Sequence, residues 1–351
     1  MSESPSALSQ WLDRDFFETG AFLCSHDGKS ITFAKGGSSL LVDRFFPTAN
    51  PVFYLKDFYQ ESYLAYNPIS VKEFSLDEIK AEFKYEKTDH SPISNDDDIY
   101  EKDFELLKSA FKFNLKKVVL VSRENYENFE GEKTIRNLIH KAFSFGVGTP
   151  YGYWNQHYGV IGSTPELLYQ VKNDVLTTFA LAGTAKIGLE EELLKSSKDR
   201  IEHNLVIQDI QEKLAGFTSD LKIDDTKIHP YKSIVHLKTD MVARANDDID
   251  FTALTNTMSP TAALGGYPKT SSLQFLKNSN YGAKYPHRYF GSAFGLIKKD
   301  VKEFVVSIRN VQWEGKHLFI ESGGGVVPDS VLLKEMDEIH LKRNTIRKHY
   351  L

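Results

Sequence analysis

The chain has 351 residues, of which 41% are hydrophobic, 26% charged and 13% aromatic. That is a globular composition and excludes a disordered chain, a collagen and a coiled coil. Its 43 Lys+Arg against 48 Asp+Glu leave a net charge of −5, and with no Lys/Arg-rich run nothing calls for nucleic acid. The single cysteine, Cys24, excludes a disulfide framework and a Cys-based metal centre. The polar start has no signal-peptide pattern, and no run approaches the ~18 apolar residues that cross a bilayer. The expectation is a cytoplasmic protein without membrane contact, and length alone allows about two domains.

In chain order, Phe22-Leu23-Cys24 and Ile31-Thr32-Phe33 flank His26-Asp27-Gly28-Lys29, a hairpin signal. Pro51-Val52-Phe53-Tyr54-Leu55 reads as a strand and Ser94-Asn95-Asp96-Asp97-Asp98 as a loop. Phe104, Leu107, Ala110 and Phe111 recur at helical spacing and predict a helix over residues 100–113. Lys116-Lys117-Val118-Val119-Leu120-Val121-Ser122 predicts a buried strand, followed by a helix with Ile135, Leu138, Ile139, Ala142 and Phe143 on one face. Tyr158-Gly159-Val160-Ile161 predicts a strand, and Ser163-Thr164-Pro165-Glu166-Leu167-Leu168 a turn or short helix. Strands from Tyr169 and from Val175 form a second hairpin across Lys172-Asn173-Asp174. Residues 190–216 predict one long helix, and residues 234–237 a strand or a helix start. Residues 303–310 and 317–321 predict strands, and 331–349 a terminal helix. Strands and helices interleave without regular alternation, and no linker separates two domains. This fits an α+β class with large antiparallel sheets.

Several residue patterns could carry chemistry. Asp199 and Glu202 are three apart on one predicted helix; Glu335 and Glu338 repeat the device, with Lys342 one turn beyond. Two helices that each present a carboxylate pair could hold Mg²⁺, which favours oxygen ligands, although solvated helix faces show the same spacing. In residues 303–310, alternation puts Val305, Ser307 and Arg309 on one face, and the Arg suggests recognition of a carboxylate or phosphate. Gly323-Gly324-Gly325 could form an anion nest or a tight turn, and Gly183-Thr184 has the same double reading. Lys117 opens an apolar strand, as a base or as a snorkelling end residue. Glu166 follows Pro165 near an expected helix start, where an acid suits the dipole without any catalysis. His203 and His236 have apolar neighbours and read as hydrogen-bonded core residues.

The joint order of these segments resembles the chorismate-utilising enzymes over residues 116–342. The resemblance rests on Lys117-Val118-Val119-Leu120, Ser163-Thr164-Pro165-Glu166-Leu167-Leu168, Leu181-Ala182-Gly183-Thr184-Ala185-Lys186 and Lys198-Asp199-Arg200-Ile201-Glu202-His203. It continues through Ser259-Pro260-Thr261-Ala262-Ala263, Gly265-Gly266-Tyr267-Pro268-Lys269, Tyr289-Phe290-Gly291, Val306-Ser307-Ile308-Arg309, the glycines at 323–325 and the acidic terminal helix. It implies an anthranilate-synthase-like two-lobed fold in one composite domain. Residues 1–99 would be its β-rich N-terminal part and 100–351 the chorismate-binding catalytic region.

The resemblance also implies roles. Glu166 would be the general acid that protonates the departing C4 oxygen of chorismate. Lys117 would be the general base that takes a proton from water attacking C2, and must be neutral when it acts. Glu202 and Glu338 would bind Mg²⁺, with Asp199 and Glu335 on its waters. Tyr289, Arg309 and the backbone N–H groups of Gly323 and Gly325 would grip the enolpyruvyl carboxylate. Gly183 and Thr184 would line the ring pocket, and Lys342 would pair with a carboxylate. Lys117 favours water over ammonia, hence isochorismate formation without a glutaminase subunit, in menaquinone or siderophore synthesis. The alternatives are salicylate synthase, an anthranilate or aminodeoxychorismate synthase component, and a chorismate-binding protein without turnover. Two departures stand out: Ser259-Pro260-Thr261 replaces a frequent His-Pro-Thr, and Lys186 replaces a frequent Arg. The oligomeric state is left open, with a monomer compatible.

Overall fold

The computed structural model describes residues 7–46, 50–88, 90–112, 115–231 and 234–351. Apolar runs such as Val118-Val119-Leu120-Val121 form strands buried along nearly their whole length, as in Lys117–Tyr126. The strands assemble into two ten-stranded sheets. In the first, Lys117–Tyr126, His317–Val326, Asn310–Glu314, Tyr158–Thr164, Thr149–Trp154, Gly20–Cys24, Ile31–Lys35 and Ser70–Phe74 follow one another in space. In the second, the order runs Thr218–Ile223, Ile234–Ala245, Val175–Lys186, Leu167–Lys172, Val301–Val306, Ala293–Ile297, Val52–Lys56, Tyr63–Asn67 and Ser38–Val42. Neighbours pair antiparallel, for example Ala182 with Leu237 and Val119 with Gly325. This is the α+β class expected.

Three apolar layers hold the sheets. Between them, Ala21 and Tyr151 of the first sheet meet Phe53, Leu181 and Phe294 of the second. The helix Glu132–Ser144 covers the outer face of the first sheet, with Leu138, Ile139 and Phe143 against Phe22, Phe33 and Ile161. The helices Ser197–Leu214 and Phe251–Met258 bring Val206, Ile210 and Leu254 to a cluster with Tyr169 and Leu176 of the second sheet. Residues before 99 supply strands to both sheets, so the N-terminal part is woven into both.

Several local expectations are corrected. The stretch around Pro165-Glu166 holds no helix: it joins Tyr158–Thr164 of the first sheet directly to Leu167–Lys172 of the second. Proline has no N–H to continue the ladder, so the chain leaves the sheet there. Residues 303–310 are not one strand: Val301–Val306 belongs to the second sheet and Asn310–Glu314 to the first, with Ser307-Ile308-Arg309 crossing between them. The glycines 323–325 form no turn and lie inside His317–Val326. The long helix breaks into Glu190–Lys195 and Ser197–Leu214, because the Ser196 hydroxyl caps the second by accepting from Asp199 N. Residues 234–237 open a strand. The helix expected over 100–113 runs Asp97–Ala110, and Phe113 lies outside the described residues.

The two crossings lie side by side. Ser163 N donates to Arg309 O at 3.2 Å, and Val306 N donates to Glu166 O at 3.0 Å. Two residues 143 apart, Glu166 and Arg309, thus share one place between the sheets.

Candidate active site

A cleft opens where the crossings meet the helices Ser197–Leu214 and Leu332–Tyr350. Nine of the thirteen residues singled out from the sequence line it: Glu166, Gly183, Thr184, Glu202, Arg309, Gly323, Gly325, Glu338 and Lys342. Its remaining wall is largely apolar, with Leu181, Ala263, Leu264, Phe290 and Ile308. An apolar pocket with a few convergent polar groups is the usual form of a small-molecule site.

On the crossover wall, burial pushes the Glu166 carboxyl up to about 7, against the opposing pull of Arg309, Lys342 and Lys117. Its side chain therefore holds a proton up to neutral pH, the condition for a general acid. The Arg309 backbone adopts a positive φ of 55°, uncommon for a residue other than glycine. Its side chain is buried, with the guanidinium carbon 5.5 Å from the Tyr231 ring centre, and among the described residues Nη1 has no hydrogen-bond partner. A buried guanidinium nitrogen without a partner is a place for an anionic oxygen.

The helix wall is built from carboxylate–lysine pairs. Lys117 Nζ lies 2.7 Å from Glu202 Oε1, Lys342 Nζ 2.7 Å from Glu338 Oε1, and Lys198 Nζ 3.0 Å from Glu335 Oε1. Lys342 Nζ also donates to Gly323 O at 2.9 Å, tying the terminal helix to the glycine strand. Burial opposes ionisation of Glu338, yet Lys342, Lys198 and Lys117 hold its carboxyl below the usual range. The Lys117 side chain is fully buried. It packs directly behind Gly325, where a Cβ would meet Glu202 Oε1 and Lys117 Cε, both at 2.7 Å. Gly183 sits at a bulge in Val175–Lys186 with φ +74°, beside Asp199.

Four of the thirteen stand elsewhere. Lys117 lies behind Gly325. Asp199 is turned to the Ser196 hydroxyl, and burial with the nearby Glu202 charge raises its carboxyl. Glu335 lies one layer deeper, near Gly324, and burial and Glu338 raise its carboxyl. Tyr289 does not line the cleft: it packs on Tyr158, ring centres 4.9 Å apart, and its neighbour Phe290 forms the wall instead. The nest reading of Gly323 and Gly325 also fails, since neither has the positive φ a nest requires; both are extended strand. Among the described residues no three His, Cys, Asp or Glu side chains come close enough to clasp an ion as they stand.

The sequence reading missed His236, taken for a core histidine. It lines the cleft, with Nδ1 3.0 Å from Gly183 O, and among the described residues Nε2 has no partner. Burial lowers it to about 3, so the ring is neutral. With Nδ1–H donating to the carbonyl, Nε2 can accept a hydrogen bond. Its place opposite Thr184 in the pairing of Val175–Lys186 with Ile234–Ala245 is the signal, and that pairing is not readable locally. His203 is a core residue as expected, 2.9 Å from Thr239 Oγ1. Glu321 also lines the cleft, fully buried and paired with Arg123 at 3.2 Å.

A family model described as chorismate binding enzyme matches residues 70–349. Anthranilate synthase component 1 of Aquifex aeolicus is 26% identical over 246 residues, covering 66% of this chain and 48% of that protein. Isochorismate synthase MenF of Bacillus subtilis is 26% identical over 288 residues, covering 78% and 60%. The chain thus spans about half of the first relative's length and three fifths of the second's. In structure, the menaquinone-specific isochorismate synthase MenF from Escherichia coli superposes with a TM-score of 0.83 at 18% identity, covering 100% of this chain and 92% of that one. Anthranilate synthase component I from Streptococcus pneumoniae gives 0.71 at 14%, covering 93% and 89%. These solved structures share the fold. The family match covers most of the chain, and the chain belongs to the chorismate-binding enzyme family.

Proposed function

We propose that the protein is an isochorismate synthase, which moves the hydroxyl of chorismate from C4 to C2 in a reversible, Mg²⁺-dependent isomerisation. The observation that carries this reading is Glu166: a carboxyl raised to about 7 in the cleft that Lys117 approaches from behind Gly325. The relatives named isochorismate synthase support it.

Chorismate brings two carboxylates and a poor leaving group. Arg309, with its unpartnered Nη1, would take one carboxylate in planar hydrogen bonds. Lys117 accepts a proton from water as its oxygen bonds to C2. Both ring double bonds shift, from C1=C2 to C1=C6 and from C5=C6 to C4=C5, the C4–O bond breaks, and Glu166 gives its proton to the departing oxygen, releasing water. One water enters and one leaves, so the step is balanced as an isomerisation. His236 Nε2 can accept from a ring hydroxyl. Leu264, Phe290 and Ile308 exclude bulk water from the ring.

Glu202 and Glu338 would hold Mg²⁺, with Glu335 and Asp199 behind them. The donor set fits in its chemistry, since it is all carboxylate oxygen. Bound there, the ion would neutralise the ring carboxylate and orient it. Because water is the nucleophile, no glutaminase subunit is needed. The relatives named MenF, with a solved MenF of the same fold described as menaquinone-specific, lean the reading towards menaquinone formation. No described helix is long and apolar enough to cross a membrane.

The test is to incubate the pure protein with chorismate and Mg²⁺ and separate the products. Isochorismate without pyruvate is expected. Salicylate with equal pyruvate would make the protein a lyase, anthranilate formed with ammonium would make it an amino-transferring component, and no product would leave a binding protein.

A further inference from the structure

Arg309 is the one site residue whose backbone is both outside the sheets and in the left-handed region, where an L-residue is strained unless its surroundings impose it. A buried polar chain surrounds it. The Tyr151 hydroxyl donates to Ile308 O at 3.0 Å, the peptide just before Arg309. That hydroxyl accepts from Asn310 Nδ2 at 2.7 Å, from the residue just after. Asn310 Oδ1 accepts from Gln312 Nε2 at 3.1 Å, which also donates to Glu321 Oε2 at 2.8 Å. All four side chains are buried, and Glu321 ends the chain at the cleft.

We propose that Tyr151 and Asn310 are positioning residues: the Tyr151 hydroxyl, braced by the Asn310 side-chain amide, holds the Ile308 carbonyl just before Arg309 and so keeps the guanidinium in the cleft. The inference rests on reading Arg309 as the carboxylate grip. Among the described residues no backbone N–H reaches the Ile308 carbonyl, because Ser307-Ile308-Arg309 has left one sheet and not yet joined the other; the next carbonyl, Arg309 O, is already held by Ser163 N at 3.2 Å. Ile308 N bonds Val306 O at 2.9 Å, within the crossing itself.

Tyr151→Phe removes the hydroxyl and keeps the ring, which packs on Phe294 with centres 5.2 Å apart. Arg309 would contact a carboxylate present in both substrate and transition state, so its displacement acts on KM rather than kcat. Tyr151→Phe and Asn310→Ala should raise the chorismate KM by about tenfold, the scale of one buried hydrogen bond, with kcat within about threefold. In an Arg309→Ala background, Tyr151→Phe should change KM by less than about twofold, since its route runs through the missing side chain. Tyr66→Phe loses a hydroxyl that donates to Gly36 O at 2.7 Å, far along the chain from the crossing, and should leave KM unchanged.

An unchanged KM in Tyr151→Phe, or an equal rise with and without Arg309, would overturn the proposal. If the wild type neither binds nor converts chorismate, the proposed function falls, and crystal structures of wild type and Tyr151→Phe decide the inference alone. A loss of the positive φ at residue 309 in the variant supports it; an unmoved Arg309 overturns it.

Discussion

The crossover wall and the helix wall of the cleft treat their carboxyl groups in opposite ways. Glu166 stands at a sheet-to-sheet crossing, and its side chain makes no hydrogen bond to a described residue; burial raises it to about 7. Glu338 stands on a helix with Lys342 one turn away at 2.7 Å, and its carboxyl is lowered despite burial. Two glutamates in one cavity thus become a proton donor and a fixed anion. The difference is whether a cation is within hydrogen-bond reach, since desolvation acts on both.

The strongest way to break this contrast is to remove the proton. Glu166→Gln keeps the shape but cannot donate, and turnover should fall by about a thousandfold with KM nearly unchanged; isochorismate formation within tenfold of wild type would remove Glu166 from the role. Lys117→Ala should fall by a similar factor, about a hundredfold to a thousandfold, in the same assay. On the helix wall, Glu338→Ala should lower turnover by about a hundredfold and abolish the response to Mg²⁺; an unaltered Mg²⁺ titration would count against the ligand assignment.

A smaller effect comes from pH. In the proposed reaction only protonated Glu166 is competent, so activity should decline about tenfold per unit as pH rises beyond about 7, a limb that a pH–rate profile of kcat reads directly. The smallest effect is on stability. A raised carboxyl contributes fully below its ordinary value, and that contribution is lost as pH rises through about 7. Between pH 5 and 8, the Tm of wild type should therefore fall relative to Glu166→Gln by roughly 2 °C. Parallel Tm curves would mean that the carboxyl is not desolvated.

How much was legible follows the same division. Asp199/Glu202 and Glu335/Glu338 are readable as pairs because helical spacing puts i and i+3 on one face. Spacing does not say which member faces the cleft; Ser196 and Lys198 decide that, by turning Asp199 and Glu335 to themselves. The hairpin of Gly20–Cys24 with Ile31–Lys35, and that of Leu167–Lys172 with Val175–Lys186, are readable because their turns are local. Alternation assigns Arg309 to a strand face, and fails because it assumes one strand in one sheet. Tyr289 is misplaced for a related reason: a motif names a segment, while the side chain that turns inward, here Phe290, depends on what packs behind it.

Composition, the order of the motifs and helical periodicity determine by themselves that this is an α+β chain of the chorismate-binding kind, with acids on two helices and Lys117 on an apolar strand. Only the tertiary structure decides that Glu166 keeps a proton, that Arg309 has a free guanidinium nitrogen, and that His236 faces the cleft. These properties arise from desolvation and from partners far away in sequence, such as Ser163 with Arg309 and Gly183 with His236. Local spacing carries periodicity, whereas burial and long-range pairing exist only once the two sheets have closed on each other.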